Sequence, residues 1–356
     1  KKAKRRTTMK AISVETFGST SKKEEAVLYT LTNENGMSAS ITNYGAALVK
    51  LNVPDKEGNL RDVVLGYDDV TGYEKGGGSF GAPVGRNANR IGGAVITIRD
   101  KTYELEKNDN GNNLHSVTNY YNKRIWNVGE KTDSKIEFVL HSPDGDQGYP
   151  GTLDMHVTYE LTEDNELRLI YDAVPDQDTI INMTNHSYFN LDGHDSGNVL
   201  KELVTLDADY FTRADAQSIP TGELVDVTGT PMDFRMPRAL GEAIDADYEA
   251  VRLGKGYDHN WVLKNNGKFD KVAQAVSEKS GIVMEVWTDL PGIQMYTANF
   301  LDNEHGKNGA VYGIRDAVCF ETQYFPDAVH HENFASPICK KGMPYHTVTS
   351  YKFETK

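Results

Sequence analysis

The chain carries a histidine inside residues 184–191, a stretch that is rich in strand-forming residues and has polar residues at its ends. Because side chains alternate between the two faces of a strand, one face of this stretch would carry Thr184, His186, Tyr188 and Asn190. Such a face is more typical of the wall of a polar cavity than of an apolar core. Most strand histidines are nonetheless hydrogen-bonded structural residues, so His186 alone is only a candidate for proton transfer.

A glutamate occupies the middle of a second strand-like stretch, residues 318–323. Alternation places Glu321 on the same face as Cys319 and Gln323, with apolar residues on the opposite face. A carboxylate with apolar neighbours is costly to bury unless it is paired or has a function. An edge strand that faces water would explain Glu321 equally well, so the residues alone leave both interpretations open.

Three further polar clusters could bind a ligand. Residues 85–91 hold two arginines and two amides, residues 112–115 end in a histidine, and residues 256–261 place an acid between an aromatic residue and a histidine. Aromatic side chains beside carboxylates are common in sugar sites, because a pyranose has an apolar C–H face and a rim of hydroxyls. Composition also fits exposed loops for the first two clusters and an ordinary core for the third.

Spacing argues against several other kinds of chemistry. The ten histidines include the adjacent pair His330 and His331 but no spacing typical of a zinc site, so no metal is expected. Residues 76–81 match the glycine pattern of a dinucleotide site, yet their flanks supply neither the strand nor the helix that such a site needs, and they are interpreted as a flexible loop. No P-loop or nucleophile elbow is present, and no cofactor is expected.

Composition narrows the partners. The 356 residues contain 38 Lys and Arg against 52 Asp and Glu, and six of the basic residues lie in the first ten positions. The remaining acidic body would be repelled by phosphate backbones, so nucleic acid is not an expected partner. No apolar run is long enough to span a membrane. The two cysteines, Cys319 and Cys339, exclude a disulfide scaffold and favour reduced thiols in a cytoplasmic protein.

Many short strand patterns separated by turn signals, with almost no helix, predict an all-β fold, either a β-sandwich or a barrel. The hairpin signals include Asn-Gly at residues 35–36 and a polar turn at residues 163–166. The one convincing helical patch is weak and covers residues 237–251. We expect a flexible basic tail over residues 1–10 and a single β domain over residues 11–356.

Nine segments, taken in order along the chain, resemble the aldose 1-epimerase (galactose mutarotase) family. They are residues 43–46, 66–68, 85–91, 114–115, 144–151, 184–191, 256–259, 291–294 and 320–323. Each segment is a weak signal alone, but their joint order and spacing are strongly specific. The resemblance extends from about residue 40 to the C-terminus and so covers nearly the whole chain.

The resemblance implies a large antiparallel β-sandwich of the supersandwich type with an open cleft on one sheet. It also implies interconversion of the α and β anomers of free aldoses such as galactose and glucose, without cofactor or metal. By motif, Glu321 is similar to the family's general base, His186 to its general acid, and His115 to a second cleft histidine that binds the ring oxygen. The family's sugar-binding positions are matched by Asn89, Arg90, Asp258 and Gln294.

These residue types suffice for the implied reaction. Ring opening removes a proton from the C1 hydroxyl and delivers one to the ring oxygen. A carboxylate, with an ordinary pKa of about 4.3, can accept the first proton, and an imidazole, with an ordinary pKa of about 6.5, can donate the second. One departure from the family pattern is Ser116, where many members have glycine. It leaves His115 in place and bears on the shape of the local loop.

Alternatives remain at this level. A non-catalytic carbohydrate-binding protein could use the same polar and aromatic cleft without an acid and a base that face each other. A related enzyme could act on a hexose 6-phosphate, which would call for a basic pocket to which Arg86 or Arg90 could contribute. The sequence predicts a monosaccharide partner and a monomer or homodimer, and it does not rank galactose against glucose, arabinose, xylose or maltose.

Overall fold

The structure, a computed structural model, describes residues 10–356, so residues 1–9 of the expected basic tail lie outside the described part. Regular structure in this part is almost entirely strand. It comprises antiparallel sheets of five, nine and six strands, together with five two-stranded pairs. This architecture confirms the all-β prediction. Among residues 10–356, no helix is both long and apolar enough to cross a bilayer.

In each of the three larger sheets the strands lie side by side in the following order. The N-terminal sheet contains Lys10–Ser19, Glu25–Thr32, Ser38–Thr42, Leu48–Pro54 and Leu60–Asp62. The large sheet contains Asn127–Lys131, Lys135–Ser142, Leu153–Leu161, Glu166–Ala173, Tyr345–Thr355, Ile282–Thr288, Asp270–Val276, Leu203–Leu206 and Arg238–Ala239. The cleft sheet contains Tyr188–Phe189, Val318–Gln323, Gly292–Tyr296, Asp258–Val262, Tyr210–Ala214 and Pro220–Asp226.

Short elements connect these sheets. The two-stranded pairs are Arg90–Ile91 with Asn113–Leu114, Pro83–Val84 with Thr184–Asn185, Val95–Ile98 with Lys101–Glu104, Thr179–Ile180 with Ile338–Cys339, and Glu304–His305 with Val311–Tyr312. The helices of the described part are Val70–Lys75 and Glu249–Gly254, and the 3₁₀ turns are Gly92–Ala94, Tyr121–Lys123, Asp146–Gly148, Leu240–Glu242, Lys307–Gly309 and Ala328–His330.

The main core lies between the large sheet and one face of the cleft sheet. Every second residue of Leu153–Leu161 is buried, which is the period that a strand covered on one face requires. From the cleft sheet, Trp261, Ile293 and Phe320 are buried in the same cluster as Tyr351 of the large sheet. The Tyr351 hydroxyl also donates to the Phe320 carbonyl at 3.1 Å, so the two sheets are joined by a polar contact within the apolar layer.

The opposite face of the cleft sheet is polar. Asn260, Gln294 and Glu321 lie directly across from one another on three neighbouring strands. Directly opposed residues of an antiparallel sheet point to the same side, and so do residues two positions along a strand. Cys319 and Gln323 therefore share the face of Glu321, which agrees with the alternation predicted for residues 318–323.

The stretch 184–191 was predicted to be one strand, but it forms two short strands. Thr184–Asn185 pairs with Pro83–Val84, and Tyr188–Phe189 pairs with the strand that carries Glu321. Between them the Asn185 side chain accepts the Ser187 backbone N–H at 3.1 Å, a local bond that replaces a ladder bond. His186 lies between the two strands, where its N–H donates to the Ala82 carbonyl at 2.8 Å and its carbonyl accepts the Gly81 N–H at 3.1 Å.

The prediction of a helix over residues 237–251 is wrong. The segment begins with a two-residue strand and a 3₁₀ turn, and the helix starts only at Glu249. The physical reason lies in its backbone donors: the Leu240 and Gly241 N–H groups bond to the carbonyls of Glu202 and Leu200 rather than to a preceding helical turn. A second helix, Val70–Lys75, was not predicted, and the Asp69 side chain caps it by accepting the Thr71 N–H at 2.9 Å.

Candidate active site

A cleft of about 420 Å³ opens on the polar face of the cleft sheet. Every residue proposed from the sequence as catalytic or sugar-binding lines it: Asn89, Arg90, His115, His186, Asp258, Gln294 and Glu321. Three of them come from strands of the cleft sheet and the others from loops and pairs packed against its edge. The fold therefore brings together side chains that are up to 232 positions apart in the chain.

The candidate acid and base are in direct contact. The His186 Nε2 atom lies 3.3 Å from Oε1 of Glu321, and both residues are buried. Glu321 projects from the middle of its strand, whereas His186 comes from the break between two short strands. At this separation the two groups can reach two oxygens bonded to the same carbon atom, as O1 and the ring oxygen of an aldose are.

Neighbouring rings and a thiol hold the His186 imidazole. Tyr188 stacks on it with ring centroids 5.0 Å apart at 24°. On the other side of the ring, the Sγ atom of Cys319 lies 3.6 Å from Nδ1. Burial raises the pKa of this thiol well above its usual value, so it stays protonated, and its sulfur can accept a hydrogen bond from Nδ1–H, which leaves Nε2 of the neutral ring free to accept a proton. The ring is thereby oriented with Nε2 toward Glu321.

Burial sets the protonation of the pair. It raises the pKa of Glu321 well above its usual value, and the nearby Asp258 carboxylate raises it further while Arg90 opposes the shift. Burial also lowers the pKa of His186 to about 4. Both shifts have the same cause, because an apolar surrounding disfavours the charged form of either group. In the empty cleft the pair therefore holds one proton, and Glu321 carries it.

His115 is fixed by a reciprocal contact with Asn89. The Asn89 N–H donates to Nδ1 of His115 at 3.0 Å, and the His115 N–H donates to the Asn89 carbonyl at 2.9 Å. Burial, with His186 and Arg90 nearby, holds the pKa of His115 well below its usual value, so the ring is neutral. Since Nδ1 accepts a hydrogen bond, the ring proton is on Nε2, and His115 presents an N–H donor to the cleft.

The loop after His115 accommodates the departure from the family pattern. Ser116 has a φ of +52°, in the left-handed region that favours glycine. Its buried hydroxyl donates to the Asn87 carbonyl at 2.7 Å and accepts the Asn87 N–H at 2.9 Å. These two bonds stabilise the strained backbone, so the loop keeps a glycine-like conformation with a serine in place.

His115, His186 and Glu321 are also the side chains of the described part that could come together around a metal ion, with ligand atoms within 4.8 Å of one another. A neutral imidazole binds a metal through the nitrogen that lacks the proton. The Asn89 N–H occupies that nitrogen of His115, and its other nitrogen directs a proton at the cleft. The donor set therefore suits a hydrogen-bonding ligand better than a cation.

The sugar-binding candidates are held by polar contacts around the cleft. Arg90 Nε pairs with Asp109 at 2.8 Å, and Gln294 Nε2 donates to Asp258 Oδ1 at 2.9 Å. Arg86, by contrast, has no exposed surface and does not line the cleft. Its guanidinium donates to the carbonyls of Pro150 and Gly151, each at 2.9 Å, and is structural.

Sequence reasoning missed several residues of this region. Tyr296 and Phe300 line the cleft, residues 77–79 of the glycine loop form part of its rim, and Asn260 and Gln323 lie beneath it. Strand alternation carried a usable signal for three of them. Tyr296 follows Gln294 by two residues, Asn260 follows Asp258 by two, and Gln323 follows Glu321 by two.

The chain is similar to several known proteins. A family model described as Aldose 1-epimerase matches residues 27–352. The chain is 40% identical over 318 residues to a galactose mutarotase of Bos taurus, covering 89% of this chain and 91% of that protein. It is 34% identical over 329 residues to an aldose 1-epimerase of Escherichia coli (strain K12), covering 92% and 94%. A crystal structure of galactose 1-epimerase from Lactobacillus acidophilus NCFM superimposes with a TM-score of 0.86 at 26% identity, covering 98% of this chain and 99% of that one.

Proposed function

This chain belongs to the aldose 1-epimerase family and interconverts the anomers of aldoses, and we propose that Glu321 and His186 perform the two proton transfers. The observation that carries the proposal is the 3.3 Å contact between His186 Nε2 and Glu321 Oε1 inside a cleft built for polar ligands. Galactose and glucose are the proposed substrates, and the relatives named galactose mutarotase support galactose.

The reaction begins when the shared proton moves from Glu321 to His186 across their contact. The Glu321 carboxylate then takes the proton of the C1 hydroxyl while His186 Nε2–H donates to the ring oxygen, and the C1–O5 bond breaks. His115 Nε2–H donates a hydrogen bond to the same ring oxygen as it gains charge. After rotation about C1–C2, O5 attacks the other face of the aldehyde, and both protons return to their starting atoms.

No proton is gained or lost over this cycle. The open-chain intermediate leaves the proton on Glu321 and His186 neutral, which is the state that burial already favours in the empty cleft. The charged pair needed for ring opening is stabilised only when a sugar hydroxyl and ring oxygen are in place to hydrogen-bond it. Burial of the pair thus favours the open-chain intermediate relative to the charged pair from which the ring opens.

The charges of the cleft support an unphosphorylated sugar. Asp258, Asp302 and Glu304 line its rim, and the Arg90 guanidinium is already paired with Asp109. A sugar phosphate would meet net negative charge here. We expect α-D-galactose and α-D-glucose to be accelerated, and the anomers of glucose 6-phosphate to interconvert at the uncatalysed rate.

Polarimetry of freshly dissolved α-D-galactose and α-D-glucose tests the assignment. Glu321→Gln and His186→Asn should each lower kcat by about 10²- to 10⁴-fold, the usual worth of a general acid or base. Glu304→Gln is the matched control, because it removes a second carboxylate from the same cleft. The Glu304 carboxylate accepts a hydrogen bond from the Tyr67 hydroxyl and is not paired with His186. Near wild-type rates in either catalytic variant would reject the acid–base roles.

We also propose a single domain over residues 11–356 that works as a monomer or homodimer in the cytoplasm. One apolar cluster extends from Leu31 to Phe353, and one chain supplies every candidate site residue, which supports both a single domain and a self-sufficient protomer. Both cysteines are unpaired thiols, as a reducing compartment allows. Light scattering coupled to size exclusion would measure the oligomeric state, and cell fractionation the location.

A further inference from the structure

A line of side-chain amides lies beneath the cleft and ends at a carboxylate. Asn89 Nδ2 donates to Gln323 Oε1 at 3.4 Å, Gln323 Nε2 donates to Gln294 Oε1 at 3.1 Å, and Gln294 Nε2 donates to Asp258 Oδ1 at 2.9 Å. Asn89, Gln294 and Asp258 line the cleft, whereas Gln323 has no exposed surface and does not line it. Gln323 therefore belongs to a line that connects three residues positioned to contact a sugar, but Gln323 itself would not contact the sugar.

The direction of this line is fixed at both ends. A carboxylate only accepts hydrogen bonds, so Asp258 requires Gln294 to turn its NH₂ group toward it. The Gln294 carbonyl then faces the Gln323 NH₂ group, and the Gln323 carbonyl faces that of Asn89. At the other end the Arg90 N–H donates to Asn89 Oδ1 at 2.9 Å, which selects the same orientation of Asn89. Each amide thus has one of its two orientations imposed by its neighbours.

The backbone around Gln323 leaves room for this network. With its second N–H, Gln323 Nε2 donates to Asn260 Oδ1 at 3.1 Å. Asn260 Nδ2 in turn lies 3.4 Å from the Thr212 hydroxyl oxygen. Gly292 lies directly across the sheet from Gln323, and a Cβ atom there would fall 2.5 Å from Asn260 Oδ1. A larger residue at position 292 would displace Asn260, so the bare backbone and the amides fit one another.

We propose that Gln323 is a positioning residue for sugar recognition, which holds Gln294 and Asn89 in the orientations that the Asp258 carboxylate and the Arg90 N–H select. The cleft consequently offers an acceptor at Asp258 and an N–H donor at Asn89. A bound aldose must then donate a hydroxyl at one end and accept at the other, which makes the line a determinant of hydroxyl selectivity. This inference rests on the proposed function in taking the ligand to be an aldose.

The first test replaces one atom of the line. In Gln323→Glu an oxygen faces the carbonyl oxygens of Gln294 and Asn260, so these amides lose their partner or turn over. We expect KM for galactose to rise by about 10-fold or more, since misdirected buried polar groups are costly. Gln323→Met, which removes the donor without adding charge beside Glu321, should raise KM similarly and leave kcat within about 3-fold.

The second test reverses the link between positions 323 and 258. In the double variant Gln323→Glu with Asp258→Asn, Gln294 can turn over to donate toward position 323 and accept from the new amide at position 258. The double variant should therefore have the KM of Asp258→Asn alone and a higher melting temperature than Gln323→Glu alone. Gln323→Met should gain nothing from Asp258→Asn, because it offers no acceptor to the reversed link.

Additive penalties at positions 258 and 323 would overturn the proposal, as would a loss of kcat with KM unchanged. If Gln323→Glu fails to fold, recovery of folded protein in the double variant supports the reversed link, and failure of both contradicts it. Thr322→Val is the matched control, because it removes a buried bond of 2.6 Å to Thr349 on the opposite face of the same strand. Its melting temperature should fall with KM unchanged.

These outcomes are distinguishable from failure of the proposed function. If the wild-type chain does not accelerate mutarotation, the acid–base proposal fails, and that result says nothing about the line of amides. The melting temperatures of the single and double variants report the coupling of positions 258 and 323 without any sugar. Coupled melting temperatures together with an uncoupled KM would show a structural network and would overturn the role in recognition.

Discussion

At the scale of single residues, burial rather than residue type sets the chemistry of the acid–base pair. A solvated histidine donates near neutral pH, and a solvated glutamate is ionised there. In the cleft the pKa of His186 falls to about 4 and that of Glu321 rises well above its usual value. The working unit is therefore the pair with one shared proton, and it is lost when the pair gains or loses a proton.

The pH dependence of kcat/KM follows from these directions. Below neutrality the pair keeps its single proton until His186 is protonated as well, so activity should persist as the pH falls through 6.5 and decline only near pH 4. At alkaline pH the shared proton is lost and activity should decline again. Initial polarimetric rates between pH 4 and 10, corrected for the uncatalysed reaction, would measure this profile.

The acidic limb decides the interpretation. A midpoint at the ordinary histidine value of about 6.5 would show that His186 is not held neutral by burial. Glu304→Gln should leave the midpoint unchanged, because Glu304 is not among the groups that shift the pKa of His186. A shift of the midpoint in this control would assign the acidic limb to the rim instead.

At the scale of elements, alternation along a strand was the part of the site that the sequence could predict. It placed Glu321 on the polar face of residues 318–323, and the register with Gln294 and Asn260 extends that face across three strands. The role of Gln323 could not be read in the same way. Its partners lie on other strands and loops, and which strands become neighbours is not encoded in the period of any one of them.

Hydrogen bonds to partners outside the expected elements explain where the element predictions failed. The Asn185 side chain takes a backbone donor from the stretch 184–191, and the carbonyls of Leu200 and Glu202 take donors from the expected helix. Both competitors act through single hydrogen bonds that composition and periodicity do not reveal. The family resemblance named residues that the fold brings into one cleft, but their contacts required the three-dimensional arrangement.

Arg86 shows how a polar motif can serve the elements rather than the ligand. Its guanidinium bonds to the carbonyls of Pro150 and Gly151 and to the hydroxyls of Thr179 and Ser142, so it joins three segments of the chain outside the cleft. Arg86→Met should lower the free energy of unfolding by about 3 kcal/mol or more, because several buried acceptors lose their donor. Urea unfolding followed by circular dichroism would measure this change.

The control for this prediction is Arg99→Met. Arg99 pairs with the Asp178 carboxylate, but 78% of the Arg99 side chain is exposed, and exposed ion pairs contribute about 0–1 kcal/mol. Equal losses in the two variants would show that Arg86 contributes no more than a surface arginine. A large loss confined to Arg86→Met would assign this arginine of residues 85–91 to the scaffold.

At the scale of the whole molecule, buried ionisable groups make stability depend on pH in opposite directions. His115 and His186 have lowered pKa values, so the stability they contribute is present above about pH 6.5 and is lost as the pH falls toward 4. Glu202 and Glu321 have raised pKa values, so their contribution is present at low pH and is lost as the pH rises. The molecule should be most stable where these effects balance, in mildly acidic to neutral solution.

Glu202 lies outside the cleft and lets one of these effects be isolated. It is buried, its Oε1 accepts the Leu191 N–H at 2.8 Å, and burial raises its pKa to about 8. Between pH 6.5 and 8 the unfolded chain ionises this group and the folded chain does not, so the free energy of unfolding should fall by about 2 kcal/mol on its account. Glu202→Gln should remove this part of the decline, as measured by urea unfolding at the two pH values. Glu278→Gln, at an exposed position, controls for the loss of one negative charge. If this control reduced the fall in the free energy of unfolding between the two pH values equally, burial of Glu202 would not be its cause.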